Sequence, residues 1–275
     1  MCRILLVLFF AIFTGFSADV FSSRISPSWH HAPSPQYDTS PSWHRVYLGI
    51  DGGYSMSLNS TNFTPIHNGL TSLPPLDNST FQQEIGNSSM IGLFLGYHVN
   101  DSMRLEINYD YRNHFNWEIS APYLNTNDPP VYVNYLANNI QIQTLFMNIK
   151  FYPLVNWGQF TPYVNAGLGA SFNQSGKVEL SILNFFDAPA NSAYIEGGSS
   201  TNFAWNVGVG MDYAIINQLH FTLGYRFVDA GVLRSGDFSK TIGVEGTAPI
   251  MPFKANQILL NEVIMGLMWT FDNPM

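Results

Sequence analysis

The sequence predicts an all-β chain that forms a transmembrane antiparallel up-and-down β-barrel of eight strands with four long extracellular loops. Residues 103–119 alternate apolar or aromatic side chains with polar ones, and Asn113 is the one exception. A period of two places the two sets on opposite faces of a strand. The segment exceeds the roughly nine to eleven residues that a tilted strand needs to cross a bilayer. The C-terminal residues 262–271 alternate in the same way, and the connections along the chain alternate between short and long, as in membrane barrels.

The N-terminus has the layout of a secretory signal peptide. Arg3 precedes the apolar run 4–13, and a segment richer in small residues follows. The run is well under the roughly twenty residues of a spanning helix. Cleavage after Ser17 gives a signal peptide of residues 1–17, and it removes Cys2, the only cysteine. The mature chain is therefore predicted to lack disulfides and thiolate sites.

Residues 18–43 are predicted to form a periplasmic linker rich in Pro, Ser and His. The pentapeptide Ser-Pro-Ser-Trp-His occurs at residues 26–30 and again at 40–44. Such a composition cannot bury a core. His30, His31 and His44 could in principle ligate a transition metal, but nothing in the pattern fixes a geometry, so we predict a solvated linker with no metal and no cofactor.

The composition suits a lipid-facing surface. The chain is 46% hydrophobic and 15% aromatic but only 11% charged, against about a quarter in typical soluble domains. Its formal net charge is -8 and it contains no run of Lys or Arg. Binding to nucleic acid is therefore not expected.

Residues 44–275 are assigned to the barrel. The predicted strands are residues 46–58, 90–99, 103–119, 140–152, 162–173, 202–214, 218–230 and 262–271. The predicted long loops are residues 59–89, 120–139, 174–201 and 231–256. In the fourth strand the apolar positions change parity between Ile142 and Leu145, which predicts a β-bulge near Gln143.

Aromatic residues are predicted to form a girdle at each membrane interface. The predicted outer girdle is Phe115, Trp117, Phe203, Trp205 and Phe227, and the periplasmic one is Tyr97, Phe151, Tyr213, Trp269 and Phe271.

Charged side chains fall on the inward face of the predicted strands. They are Asp51, Arg104, Glu106, Asp110, Arg112, Lys150, Asp212, Arg226 and Glu262. An eight-stranded barrel is just wide enough for side chains to fill it, and buried charges must pair. Two interpretations stay open: a polar plug that stabilises the barrel, or an ion or proton pathway if water threads the interior.

Residues 161–170, 204–213 and 223–227 resemble the opacity-protein family of eight-stranded surface antigens, which is related to the transmembrane domain of outer-membrane protein A. The resemblance covers about residues 47–271. It implies a Gram-negative outer-membrane location in contact with lipid and lipopolysaccharide, insertion by the barrel assembly machinery, adhesion through variable loops and sometimes weak channel activity. It carries no catalytic residue. In the family the terminal Phe is usually last, whereas four residues follow Phe271 here.

The loops contain apolar side chains on polar, lightly charged segments. The candidate contact residues are Phe63, Phe81, Phe185, Phe186 and Tyr194. Rigid rings supply contact area at low entropic cost, which suits binding to a host-cell surface or another extracellular ligand. The same rings could instead pack on one another above the barrel.

The sequence favours a structural or adhesin-type role, with a small ion-conducting channel as the alternative. An outer-membrane enzyme acting on lipid or peptide is a further alternative, but Gly-x-Ser-x-Gly and His-Glu-x-x-His are absent. His114, Asp229 and Asp237 could meet near the outer rim as an omptin-like site. A soluble lipocalin-type barrel would face its apolar side inward and show its charges to water, which the aromatic-capped strands and alternating loop lengths argue against.

Overall fold

The computed structural model describes residues 46–58, 63–64, 82–123, 131–153, 159–183, 190–241, 248–249, 254–255 and 257–271. The predicted signal peptide and linker lie outside these residues and stay predictions. No helix among the described residues is long and apolar enough to cross a membrane.

The described residues are organised as β-strands. These are β1 (Val46–Ser57), β2 (Phe63–Thr64), β3 (Gln82–Ile85), β4 (Asn87–Asn100), β5 (Met103–Tyr123), β6 (Val131–Phe151), β7 (Phe160–Gln174), β8 (Val178–Leu183), β9 (Ala190–Ile195), β10 (Ser199–Ala214), β11 (Leu219–Asp229), β12 (Leu233–Arg234), β13 (Phe238–Thr241), β14 (Ala248–Pro249), β15 (Lys254–Ala255) and β16 (Leu259–Thr270).

Eight long strands close into a barrel. Each pairs antiparallel with its neighbours in the ring β16-β1-β4-β5-β6-β7-β10-β11, and β11 pairs back to β16. The predicted antiparallel eight-stranded fold is therefore confirmed. A closed ring leaves no unpaired barrel edge, which is what a strand structure in lipid requires.

The period-two pattern sets which face of each strand is outside. Along β4 the burial alternates residue by residue from Asn87 to Tyr97. Exposed aliphatic side chains form a belt around the outside, including Leu48, Ile50, Ile91, Leu93, Leu95, Ile107, Met147, Ile149, Leu168, Met265 and Leu267. Polar and charged side chains from the same strands are buried inside.

At the end with the long connections, the chain builds a second structure that we call the outer sheet. β5 and β6 are 21 residues each and stay paired out to Tyr123 and Val131, so most of the predicted second loop is strand. β3 pairs with β5, β8 with β6, β9 with β8, β13 with β9 and β14 with β13. The outer sheet consists of these strands and the outer parts of β5 and β6.

The bulge predicted near Gln143 is wrong. β6 pairs without interruption with β7 from Gln141 to Phe151. Two irregularities lie further towards the outer end of the β5–β6 pair. One is in β5 between Arg112 and Phe115, where His114 has a φ of 69°, and the other is in β6 between Ala137 and Ile140, where Asn139 has a φ of 64°. Ile142 keeps the inward parity of β6, and the apolar pattern changes there because the barrel interior changes from polar to apolar.

The bulge in β5 overturns the prediction that Phe115 belongs to the outer girdle, because it turns that side chain into the interior, where it is 0% exposed. Phe203 is 67% exposed, and Trp205 packs against Phe227 with ring centroids 5.6 Å apart. The side chain of Trp117 lies outside the described residues.

The periplasmic girdle is observed where it was predicted. Tyr97, Phe151, Trp269 and Phe271 are exposed, and Tyr213 lies 4.9 Å from Phe160 between ring centroids.

Candidate functional site: the barrel interior and the outer sheet

The periplasmic third of the interior is built from cations stacked on aromatic rings. Arg104 lies 4.0 Å from the centroid of the Tyr152 ring and forms a 3.0 Å ion pair with Asp212. The Tyr152 hydroxyl donates a 2.8 Å hydrogen bond to the same carboxylate. Stacking on the ring and pairing with the carboxylate both stabilise the Arg104 charge.

Lys150, like Arg104, is paired with a carboxylate and lies near a tyrosine ring. Its Nζ lies 2.8 Å from Glu106 Oε2 and 4.9 Å from the centroid of the Tyr163 ring. The Tyr47 hydroxyl donates to the same Glu106 oxygen at 3.1 Å. Large rings from three strands thus fill the lumen around two cations.

The centre of the barrel holds a fully buried ion-pair network. Arg112 contacts Glu262 through Nε at 2.5 Å and through Nη2 at 3.1 Å. Arg226 contacts the same carboxylate at 2.7 Å and Asp110 at 2.8 Å. Ser55 Oγ donates to Glu262 at 2.6 Å. Buried charges are tolerated only when they are paired and hydrogen-bonded in this way.

A chain of hydrogen-bonded asparagines, absent from the sequence prediction, links β5, β6, β7 and β10 inside the barrel. Asn148 donates to Asn108 at 2.8 Å, Asn206 to Asn148 at 2.9 Å and Asn165 to Asn206 at 2.9 Å. Gly167 lies between two of them, and a Cβ there would overlap Asn148 Oδ1. The signal in the sequence is an inward Asn opposite an inward Gly, which alternation alone does not single out.

The outer third of the interior is apolar, and we call it the outer plug. Its buried members are Ile85, Phe115, Ile140, Ile142, Phe146, Val178, Ile195, Ala204, Val228, Ala230, Leu233, Ala255, Ile258 and Leu260. Strands on several sides of the barrel contribute, so the plug crosses the lumen.

The beginning and end of the predicted fourth loop form part of this plug. Ala230 N donates to Ile258 O at 2.9 Å, and Ile258 N donates to Gly231 O at 2.7 Å. Asn173 of β7 donates to the Ala230 carbonyl at 2.7 Å, and Asn202 of β10 to the Val232 carbonyl at 2.8 Å. Side chains of the barrel wall thus satisfy backbone groups that strand pairing leaves open.

The structure places all nine predicted inward charges in the interior. Eight of them form ion pairs with one another, and Asp51 forms none among the described residues. A cavity of about 30 Å³ lies beside this network, lined by Asp51, Glu106, Asn108, Asn148, Lys150, Tyr163, Asn165, Thr222 and Arg226 among others. It has room for roughly one or two water-sized occupants. Paired charges beneath an apolar plug argue against an ion pathway.

Only part of the predicted contact surface lies within the described residues. Tyr194 is in β9, half-buried, with Lys177 Nζ 4.9 Å from the centroid of its ring. The backbone of Phe63 pairs with Ala255 in a small sheet of β2, β15 and β12. The side chain of Phe63 and all of Phe81, Phe185 and Phe186 lie outside what the structure describes.

The predicted grouping of His114, Asp229 and Asp237 does not form among the described residues. The side chain of His114 is exposed beside the bulge in β5, and no hydrogen bond or ion pair in the described part of the chain joins it to Asp229 of β11 or to Asp237, which precedes β13. Asp229 instead accepts hydrogen bonds from Gly231 N and Gln257 Nε2. Within the described residues, no group of three His, Cys, Asp or Glu side chains is placed to hold a metal ion.

Comparison with known proteins places this architecture in a family. The family model described as "Outer membrane protein beta-barrel domain" matches residues 31–258. The chain belongs to the outer-membrane protein β-barrel family. The protein is therefore a Gram-negative outer-membrane barrel, as predicted, and its exposed apolar belt faces lipid.

Several individual proteins are similar to this outer-membrane barrel. Outer membrane protein PagN of Salmonella typhimurium (strain LT2) is 26% identical over 187 residues, which is 66% of this chain and 72% of that protein. The crystal structure of Neisserial surface protein A is 14% identical with a TM-score of 0.42 and covers 82% of this chain and 97% of its own. The outer membrane protein OprG from Pseudomonas aeruginosa is 15% identical with a TM-score of 0.43, covering 81% and 95% respectively.

Proposed function

We propose that this protein binds an extracellular partner, such as a host-cell surface, through its outer sheet, and that the barrel serves as a rigid membrane anchor. The observation that carries the proposal is the outer sheet itself: β5 and β6 continue beyond the barrel and recruit β3, β8 and β9 into one ordered surface. Binding residues are commonly presented on loops held by a rigid scaffold.

The proposed role is non-enzymatic. Eight of the nine interior charges are held in ion pairs, and no hydrogen bond or ion pair among the described residues joins His114, Asp229 and Asp237. Insertion by the barrel assembly machinery and contact with lipopolysaccharide belong to the same proposal and follow from the family's location. The proposed contact residues are Tyr194 of the outer sheet, Phe63 of the small sheet of β2, β15 and β12, and Phe81, Phe185 and Phe186, which lie outside the described residues.

Trimming the β8–β9 hairpin tests the proposal. Glu179 and Tyr194 are paired neighbours, so replacing residues 180–193 with Asn-Gly closes the hairpin by a tight two-residue turn. The change keeps Val178 and Ile195 in the outer plug. We expect adhesion of expressing cells to host-cell monolayers to fall, while outer-membrane fractionation and heat-modifiable gel migration stay as in the wild type.

Two point variants sharpen this experiment. Tyr194→Ser removes a ring from the outer sheet, and Tyr97→Ser removes an exposed ring at the periplasmic rim. Only the first should weaken adhesion. If the trimmed protein reaches the surface and adheres to every tested surface as well as the wild type, the hairpin has no part in binding.

A further inference from the structure

With His98 and His220 counted as neutral, the charges of the described interior do not balance. The buried acids are Asp51, Glu106, Asp110, Asp212 and Glu262, and the cations that accompany them are Arg104, Arg112, Lys150 and Arg226. Five carboxylates against four cations leave one negative charge in excess. An uncompensated charge in a low-dielectric interior is costly, so a further positive charge is required.

The excess is localised at Asp51. Its side chain comes from β1, the residue is 8% exposed, and its Oδ1 is buried without a hydrogen-bond partner. Oδ1 of Asp110 on β5 is also buried without one. The other oxygen of Asp110 already accepts from Arg112 and Arg226.

The two unpartnered oxygens face the same point. That point is the space left by the missing side chain of Gly92 on the intervening strand β4. A Cβ there would overlap Asp51 Oδ1 and would lie 2.7 Å from Asp110 Oδ1. Glycine at position 92 therefore lets the two carboxylates approach across β4, where their charges repel unless something positive joins them.

The cavity beside the ion-pair network provides the room. Asp51 and Glu106 both line it, and Glu106 Oε1 is a third buried oxygen without a hydrogen-bond partner. The charged and titratable groups of neighbouring strands that face this region are Asp110, Glu106 and Arg112 of β5, Lys150 of β6, Tyr163 of β7, Tyr225 and Arg226 of β11 and Glu262 of β16. All the cations among them are already paired with other carboxylates.

We propose that the barrel binds one small monovalent cation at Asp51, either a proton or an alkali ion, shared with Asp110 and balancing the interior charge. The interior has an excess of one negative charge, and a single positive charge is therefore enough to balance it. This site is independent of the outer sheet. It makes barrel stability respond to the ionic conditions.

Unfolding of the full chain in lipid vesicles tests the site. Midpoints of thermal or urea unfolding are compared in choline, sodium and potassium chloride, from mildly acidic to mildly alkaline pH. A bound proton predicts a midpoint that falls as pH rises, equally in all three salts, because the folded state then holds more protons than the unfolded state. A bound alkali ion predicts a midpoint that rises in sodium or potassium relative to choline.

Asp51→Asn removes the excess charge with little change of shape. If the wild-type unfolding midpoint depends on pH or on the alkali cation, this variant should lose that dependence. Asp212→Asn is the matched control. It also removes one buried carboxylate, but that carboxylate pairs with Arg104 and the variant leaves Asp51 and Asp110 facing each other, so it should have a lower midpoint and keep the dependence. The site is refuted if the wild type shows neither dependence, or if Asp51→Asn retains it.

A spectroscopic measurement covers the case in which Asp51→Asn does not fold. The wild-type barrel should then show either an infrared band of a protonated carboxyl group that shifts in deuterated water, or line broadening of sodium in NMR that added choline does not reverse. Absence of both signals would overturn the proposal.

Discussion

Replacing Arg112 by Leu is expected to destabilise the folded barrel by about 3–5 kcal/mol, the cost of breaking a buried ion pair by removing one partner. Arg112 is 0% exposed and contacts Glu262, Asp110 and Thr144. Its loss leaves two buried carboxylates to share Arg226. Urea unfolding in lipid vesicles measures the change.

Two variants control for simple loss of packing. In Arg112→Leu combined with Glu262→Gln, the orphaned charge is also removed, so part of the lost stability should return. Arg234→Leu changes an exposed residue and should have little effect. A loss in Arg112→Leu no larger than in Arg234→Leu would mean that the central network does not hold the barrel together.

The second large effect is expected on the lipid face. Leu93 is 56% exposed on the outside of β4, midway between the two rims, and Leu93→Arg should cost about 2–4 kcal/mol because it puts a cation near the bilayer midplane. Ser89 lies on the same face of the same strand, roughly 13 Å nearer the outer end. Ser89→Arg should therefore cost only about 0–1 kcal/mol.

The same vesicle unfolding assay compares the two arginine variants. Equal penalties at both positions would show that Leu93 does not lie deeper in the membrane than Ser89, and that the assignment of β4 to the bilayer is wrong.

Alternation predicted the strands and their faces because it is a local property of the chain. Each barrel strand contains the inward charges that the pattern assigned to it, from Asp51 in β1 to Glu262 in β16. Which charges meet depends on the register between strands far apart in sequence, such as β5 with β16 across the lumen. No pattern within one strand carries that information.

The errors have a common physical origin. A barrel interior that is polar along its whole length requires a bulge near Ile142 and places Phe115 towards lipid, which is what the alternation predicts. The interior is apolar at its outer end. Inward and outward residues are both hydrophobic there, so alternation no longer tells which of them face the interior. The bulge at His114 then falls in β5, where the sequence showed only an unexplained Asn113.

The outer sheet was missed for another reason. Its added strands are short, such as the six-residue β8 and β9 and the four-residue β3. The sequence of β9 is ANSAYI and that of β3 is QQEI, and neither alternates between apolar and polar residues. The sequence of β8 is VELSIL, which alternates over too few residues to be told from a loop. These segments are strands because long-range pairing with the extended β5 and β6 satisfies their backbone groups.

A surface-binding barrel differs from a channel in that its interior is closed to ions. Single-channel conductance of the purified full chain in planar bilayers tests whether the interior is closed. We expect no single-channel conductance steps at either polarity, because the outer plug crosses the lumen and the charges beneath it are paired with one another. Lys150→Gln removes a cation from the lumen, and this variant should also show no conductance steps. Conductance steps whose ion selectivity changes in Lys150→Gln would contradict the sealed barrel and would make transport through the lumen the function to pursue.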